Sequence, residues 1–206
     1  MIVLPGTLEP RVFHQLLIGS VVPRPIAFVS SIGAQGALNV APFSYFNLIS
    51  TRPPLVGIAV GKRGGSPKDT AKKVRESGDF VVNVVDESLL AKVVQASGEY
   101  PEDVDEFELT GLTPAASEKV RAPRVQESPV SFECTLERIV EFEHTDLIIG
   151  EIVCVHVRDD LWVDNRIDAQ ELRAVGRLGG DGFALTREIV NIPRPKVPRP
   201  GASAEG

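Results

Sequence analysis

Apolar residues in this chain gather in short β-branched and aromatic runs, not in long helical stripes. Val21–Ser31, Val40–Phe46, Leu55–Gly61, Phe80–Val85, Val130–Phe142 and Leu147–Val157 are rich in Val, Ile and Phe. Gly, Pro, Asn or charged residues separate them, which predicts strands joined by turns. From Val130 to Leu136 the alternation is strict: Val130, Phe132, Cys134 and Leu136 point one way, Ser131, Glu133 and Thr135 the other. That is a half-buried strand. The alternation slips at Arg138-Ile139, which predicts a β-bulge, and Glu141–Asp146 reads as a polar turn.

Two helices are marked. Ser66-Pro67-Lys68-Asp69 offers a capping Ser, a Pro at the first helical position and an acid three residues after the Ser. This helix is expected to reach Ser77 and stop at Gly78. A second is expected from near Asp86 to near Gly98, with Leu89, Leu90, Val93 and Val94 as its apolar stripe. Tyr100–Glu108 is acidic and reads as a solvated loop. The expected fold class is mainly β with a few short helices.

Composition narrows the class. With 206 residues, 43% hydrophobic and 24% charged, one domain of good core size is expected over residues 1–192. Residues 193–206 form a Pro-rich tail, and Pro193–Pro200 can make neither a helix nor a central strand. The net charge of −6 provides no global basic surface for nucleic acid or anionic lipid. No apolar run reaches the roughly 18 residues of a membrane span, and the N-terminus lacks a signal-peptide pattern. A soluble cytoplasmic protein is expected. Cys134 and Cys154 show no CxxC or His spacing of a zinc site, so two buried free thiols and no metal are expected.

Four places could carry chemistry. Gly61-Lys62-Arg63-Gly64-Gly65 precedes the capped helix, and Lys62, Arg63, Lys68 and the Thr70 hydroxyl would suit a phosphate at a helix start. The same residues also fit a plain Gly-rich turn, and GxxxxGK[ST] is absent. Ser30, Ser31, Asn39, Ser44 and Asn47 lie in Pro23–Ser31 and Asn39–Asn47, dense in donors and acceptors for a flat heterocycle. They would equally serve a turn-rich hairpin around Gly33-Ala34-Gln35-Gly36. His144 stands at a turn and reads as solvent-facing; His14, in an N-terminal amphipathic stretch, and His156, alternating within a strand, are weaker candidates still. Gly176–Phe183 permits close approach of a ligand or forms a mobile loop. No GxGxxG, Gly-x-Ser-x-Gly or HExxH occurs, which argues against a Rossmann domain and against hydrolase or zincin chemistry.

Together these pieces resemble the flavin reductase-like family of FMN-binding split barrels, in the branch that opens with Pro-Arg-Pro-Ile and includes flavoredoxin-like proteins. The resemblance runs from about Val12 to Pro195. It rests on PRPIAFVSS at 23–31, NVAPFSYFN at 39–47, Pro53-Pro54, Ser66–Thr70, Phe80–Val84 and the His144–Glu151 turn and strand. It implies a six-stranded split β-barrel that forms a homodimer, with FMN near the interface. Ser30, Ser31, Asn39, Ala41, Pro42, Phe43, Ser44 and Asn47 would line the ring and ribityl chain. Lys68, Asp69 and Thr70, helped by Lys62 or Arg63, would hold the phosphate, and Arg24 is the motif arginine. His144 matches a histidine beside the flavin. Arg177, Gly179, Gly180 and Phe183 would form a substrate-side loop, with Phe183 where the family often has Tyr.

The implied activity is hydride transfer from NAD(P)H to flavin N5 and on to an acceptor, which could be an electron-acceptor protein or a monooxygenase. An FMN electron carrier reduced by a partner protein is the alternative. No side-chain nucleophile is required, in keeping with the missing catalytic motifs.

Overall fold

The structure is a computed structural model that describes residues 1–101 and 104–195. Most of the expected Pro-rich tail, from residue 196 onward, lies outside the described residues.

The chain opens with α1 (Pro10–Ser20), β1 (Arg24–Pro25), β2 (Ala27–Ile32), β3 (Leu38–Phe43), β4 (Phe46–Thr51) and β5 (Pro54–Gly61). It continues through α2 (Asp69–Ser77), β6 (Asp79–Val84), α3 (Leu90–Ala96), α4 (Glu106–Thr110), β7 (Pro114–Ala115) and β8 (Arg124–Val125). The long hairpin β9 (Val130–Glu141) and β10 (Thr145–Val157) follows. Last come β11 (Trp162–Val163), β12 (Arg166–Ile167), α5 (Ala169–Leu172), β13 (Val175–Arg177) and β14 (Phe183–Leu185).

Seven strands pair in one sheet in the order β3-β2-β6-β9-β10-β5-β4, every neighbour antiparallel. Six were expected; the additional one is β4. Its apolar residues Leu48 and Ile49 face outward, so it carries no core-facing alternation to mark it. The run read as Val40–Phe46 breaks at Ser44-Tyr45, and its last residue begins the new strand. The bulge expected at Arg138-Ile139 is present one residue away: Ile149 pairs with Arg138 but Gly150 with Leu136, leaving Glu137 unpaired.

β2 is buried on both faces, and that organises the core. Ala27 and Val29 pack with Val56, Ile58, Phe80, Ile148 and the α2 residues Ala71 and Val74. Phe28 turns to the other side, against Val40, Val93, Phe107 and Val175. Each fully buried Val, Ile or Phe contributes about 1.5–3 kcal/mol from apolar burial. Asn83 pins the second layer to β2. Its Nδ2 donates to Phe28 O and Ser30 Oγ (both 3.0 Å), and its Oδ1 accepts from Val125 N and Ser131 Oγ (both 2.9 Å).

Three local expectations need correction. Ser66 does not cap α2: the helix starts only at Asp69, so the cap position is Lys68, with no side-chain cap bond, and Ser66 lies in the preceding turn, paired through its backbone with Arg63. The helix does stop at Gly78, whose φ of 75° suits glycine. α3 starts only at Leu90, after a turn in which Asp86 Oδ1 accepts from Leu89 N (3.1 Å), and Val94 is exposed. The acidic stretch is not all loop: Asp105 accepts from Phe107 N (2.8 Å) and starts α4, which buries Phe107.

Cys134 is buried but Cys154 only partly so; both are free. No described helix is long and apolar enough to cross a membrane.

Candidate functional site

The N-terminus of α2 opens on a groove of about 330 Å³. One wall is β3 through Asn39, Ala41, Pro42 and Phe43. The second is the Arg63 loop with Ser66–Thr70 and Lys72, and the third is Ser97–Pro101 with Glu106. A second cavity of about 300 Å³ shares Pro42 and Ser97 with the first, so the two adjoin. Ile26, Ser44, Val93, Arg177 and Phe183 are among its lining.

The two halves differ in chemistry. In the first, the opening N–H groups of α2 have no side-chain cap, and a helix start carries partial positive charge. Arg63, Lys68 and Lys72 surround it, a local cationic rim on a chain of net charge −6. Asp69 is compensated by Lys72 Nζ at 3.2 Å, and Arg63 reaches Glu99 at 3.3 Å on the exposed rim. Asn39 Nδ2 donates to Thr70 Oγ1 (3.1 Å); the residues are 3% and 2% exposed. That bond fastens β3 to the first turn of α2 and fixes the floor of the groove. The second cavity is mixed: Ile26, Pro42, Val93, Val94 and Phe183 give it an apolar wall, Ser44, Ser97, Asp181 and Arg177 a polar one, and Arg177 stacks over the Phe183 ring at 4.5 Å.

Several expected site residues stand elsewhere. Ser30 is fully buried on the Asn83 side of β2, where its Oγ donates to Pro123 O (2.5 Å). Ser31 is also fully buried, with no partner for its hydroxyl, and lines neither cavity. Alternation explains the pair: consecutive strand residues face opposite layers, so they cannot both meet one ligand. Arg24 is a clamp. It donates to Ile18 O (2.5 Å), Val21 O (2.8 Å) and Leu178 O (2.9 Å), and its Nε lies 3.4 Å from Ser44 Oγ. It holds the end of α1 and the glycine loop together and orients Ser44 from behind.

Lys62 donates to Phe142 O (2.7 Å) and pairs with buried Asp146 (3.3 Å), away from the groove. Asn47 is exposed on β4. His144 is exposed at the β9–β10 turn, beside Glu143 at 3.5 Å. Gly179 packs against the Gly19 backbone of α1, and Gly180 makes a turn at φ 59°.

Sequence reasoning missed Glu106, Ser97 and Tyr100. Glu106 sits in the stretch read as a solvated loop, and only Asp105 three residues before Glu108 hinted at a helix. Burial pushes the Glu106 carboxyl above its ordinary pKa; its hydrogen bonds and Lys73 oppose this only in part. Tyr100 Oη donates to Gln95 O (2.9 Å), and its ring lies over Gly98, where a Cβ would come within 2.6 Å.

A family model described as the flavin reductase like domain matches residues 18–169. The chain belongs to this family. Among solved structures, nitrilotriacetate monooxygenase component B from Bacillus cereus superposes with a TM-score of 0.91 at 36% identity, over 93% of this chain and 98% of that one. The 2-nitrobenzoate 2-nitroreductase of Pseudomonas fluorescens gives 0.88 at 33% identity, over 98% and 100%. An uncharacterised Halalkalibacterium halodurans protein is 40% identical over 200 residues, covering 94% of this chain and 96% of that one. Membership makes the chain a flavin reductase-like oxidoreductase of the split-barrel class, and its cofactor class is flavin. The groove suits such a cofactor: a capless helix start with cations for phosphate lies beside a cavity whose apolar wall, with Phe183, and few polar groups suit a ring.

Proposed function

We propose that this chain binds FMN in the joined cavities and catalyses NAD(P)H-dependent flavin reduction. The observation that carries the reading is the adjacency of one anion-suited end and one end with an apolar wall across Pro42 and Ser97. A single phosphate subsite at α2 supports FMN. Thr70 Oγ1, Lys68 and the first N–H groups of α2 hold the phosphate, with Arg63 at the rim. Asn39, Ala41 and Pro42 border the ribityl chain. Ser44, Arg177 and Phe183 border the ring, and Val93 backs it.

Bound flavin supplies the two-electron chemistry; the protein binds, orients and desolvates. Arg24 positions Ser44 through its clamp. Arg177, stacked on Phe183, brings a hydrogen-bonding cation to the ring end, with the Asp181 carboxylate on the same cavity wall. His144 receives no role in the groove of its own chain, since it is exposed at the β9–β10 turn and lines neither cavity.

The homodimer belongs to the same proposal. α1 buries none of its residues, and Leu16, Leu17, Val21 and Val22 stay exposed. Tyr45 Oη lies 3.5 Å from His14 Nε2 and joins this face to exposed Leu48 and Ile49 of β4. So many exposed apolar side chains on α1 and β4 fit a second copy. The Bacillus cereus relative is a monooxygenase component, which supports flavin delivery to a partner monooxygenase.

Anaerobic stopped-flow mixing of the flavin-loaded protein with NADH and NADPH tests the activity. Bleaching by either is expected. Bleaching by dithionite alone would overturn the reductase reading in favour of an electron carrier.

A further inference from the structure

The β9–β10 hairpin carries a second cluster of chemical groups, remote from both cavities. Glu133 Oε1, Cys154 Sγ and His156 Nε2 all lie within 4.8 Å of one another. None of the three lines either cavity. From the geometry we infer that these residues form a binding site for a divalent transition ion of the zinc class.

A bulge builds the cluster. Ile152 pairs with Cys134 but Cys154 with Glu133, so Val153 is the extra residue on β10. In unbroken register Cys154 would oppose Phe132 and face the other side of the sheet. The bulge moves Cys154 and His156 onto the face of Glu133, and bulges commonly re-aim side chains in this way.

The donor set is selective. A thiolate and an imidazole disfavour Mg²⁺ and Ca²⁺ and suit zinc-class ions. Glu133 is held for the task. Its side chain is fully buried, and Glu118 N and Lys119 N donate to its two oxygens at 2.7 and 2.6 Å. Such outer hydrogen bonds are what orient ligating carboxylates.

His156 Nε2 is 2.5 Å from Glu133 Oε1 and 3.7 Å from Cys154 Sγ. A thiol–imidazole–carboxylate relay would use both ring nitrogens. Here one nitrogen faces both partners, which is the convergence a metal ion needs.

On binding, the Cys154 thiol releases its proton to solvent, and neutral His156 gives its lone pair. Carboxylate and thiolate then neutralise the ion, so little net charge is buried. The His156 side chain is 24% exposed, which leaves a fourth position open to water, as in three-ligand zinc sites.

The test is titration of the purified full chain with Co²⁺, followed by competition with Zn²⁺. One equivalent is expected to give thiolate-to-metal charge-transfer absorption that Zn²⁺ abolishes. Cys154→Ser should remove that absorption, and His156→Ala should weaken binding at least tenfold. Cys134 is no rival ligand, being fully buried with its thiol pushed up by burial. Absence of the band in the unaltered chain, or its survival in Cys154→Ser, overturns the proposal. X-ray absorption of the zinc-loaded unaltered chain decides without any variant. A shell with one sulfur and mixed nitrogen and oxygen supports the site, and a shell without sulfur refutes it.

Discussion

Replacing Thr70 by Val probes the joint on which the groove depends. Val keeps the volume and branching of Thr, so the core around α2 stays filled. What is lost is the acceptor of the 3.1 Å bond from Asn39 Nδ2, a group only 3% exposed. A buried donor left without a partner costs about 1–3 kcal/mol. For a chain of this size, each kcal/mol shifts Tm by roughly 2–4 °C. Thr70→Val should therefore melt about 2–12 °C lower without ligand. It should also bind FMN at least tenfold more weakly, about 1.4 kcal/mol, since the hydroxyl borders the phosphate end. Thr70→Ser keeps the oxygen and should retain most of both properties. Thermal unfolding and fluorescence titration read the two effects. A Thr70→Val variant with unchanged Tm and unchanged affinity would refute the reasoning.

Three further outcomes are expected. The raised Glu106 pKa means the native state binds its proton more tightly than the unfolded chain, so stability falls as pH rises from the ordinary carboxylate value, about 4.3, to the native one. Ligand-free Glu106→Gln should thus exceed the unaltered protein in denaturant midpoint at neutral pH, with the gain vanishing in acid; no gain at neutral pH counts against the burial argument. Gly150→Ala would drive a Cβ into the fully buried Phe80 ring, and overpacking of about 1–3 kcal/mol should appear in equilibrium unfolding; an unperturbed midpoint would show that Phe80 can yield. Leu48 is 53% exposed, so Leu48→Asp should leave the fold intact yet convert the proposed dimer to monomer on gel filtration; an unchanged elution volume would place the interface elsewhere.

Much of the barrel was legible because its core strands are Val-, Ile- and Phe-rich and bounded by turn residues. β4 was not, since Leu48 and Ile49 face outward and leave no alternation toward a core. α4 hid behind its charge, although Asp105 caps it and Phe107 anchors it. The phosphate end of the site was legible in Lys68, Asp69 and Thr70, which are adjacent in sequence and on one helical turn. The polar strand motifs were harder to read. Ser30 and Ser31 look alike in sequence, yet the pleat sends Ser30 to Asn83 and buries Ser31 away from both cavities. Arg24 lay in a ligand motif but serves backbone carbonyls brought from residues 18, 21 and 178, a meeting only the fold reveals. The same is true of Glu133 with His156, 23 residues apart.

Comparing FMN with riboflavin by fluorescence titration tests the central claim most directly, because the two ligands differ only in the phosphate. FMN should bind at least tenfold more tightly to the unaltered protein, and Lys68→Ala combined with Thr70→Val should erase that preference while leaving riboflavin affinity little changed. Equal affinities for FMN and riboflavin in the unaltered protein would contradict a phosphate subsite at the start of α2.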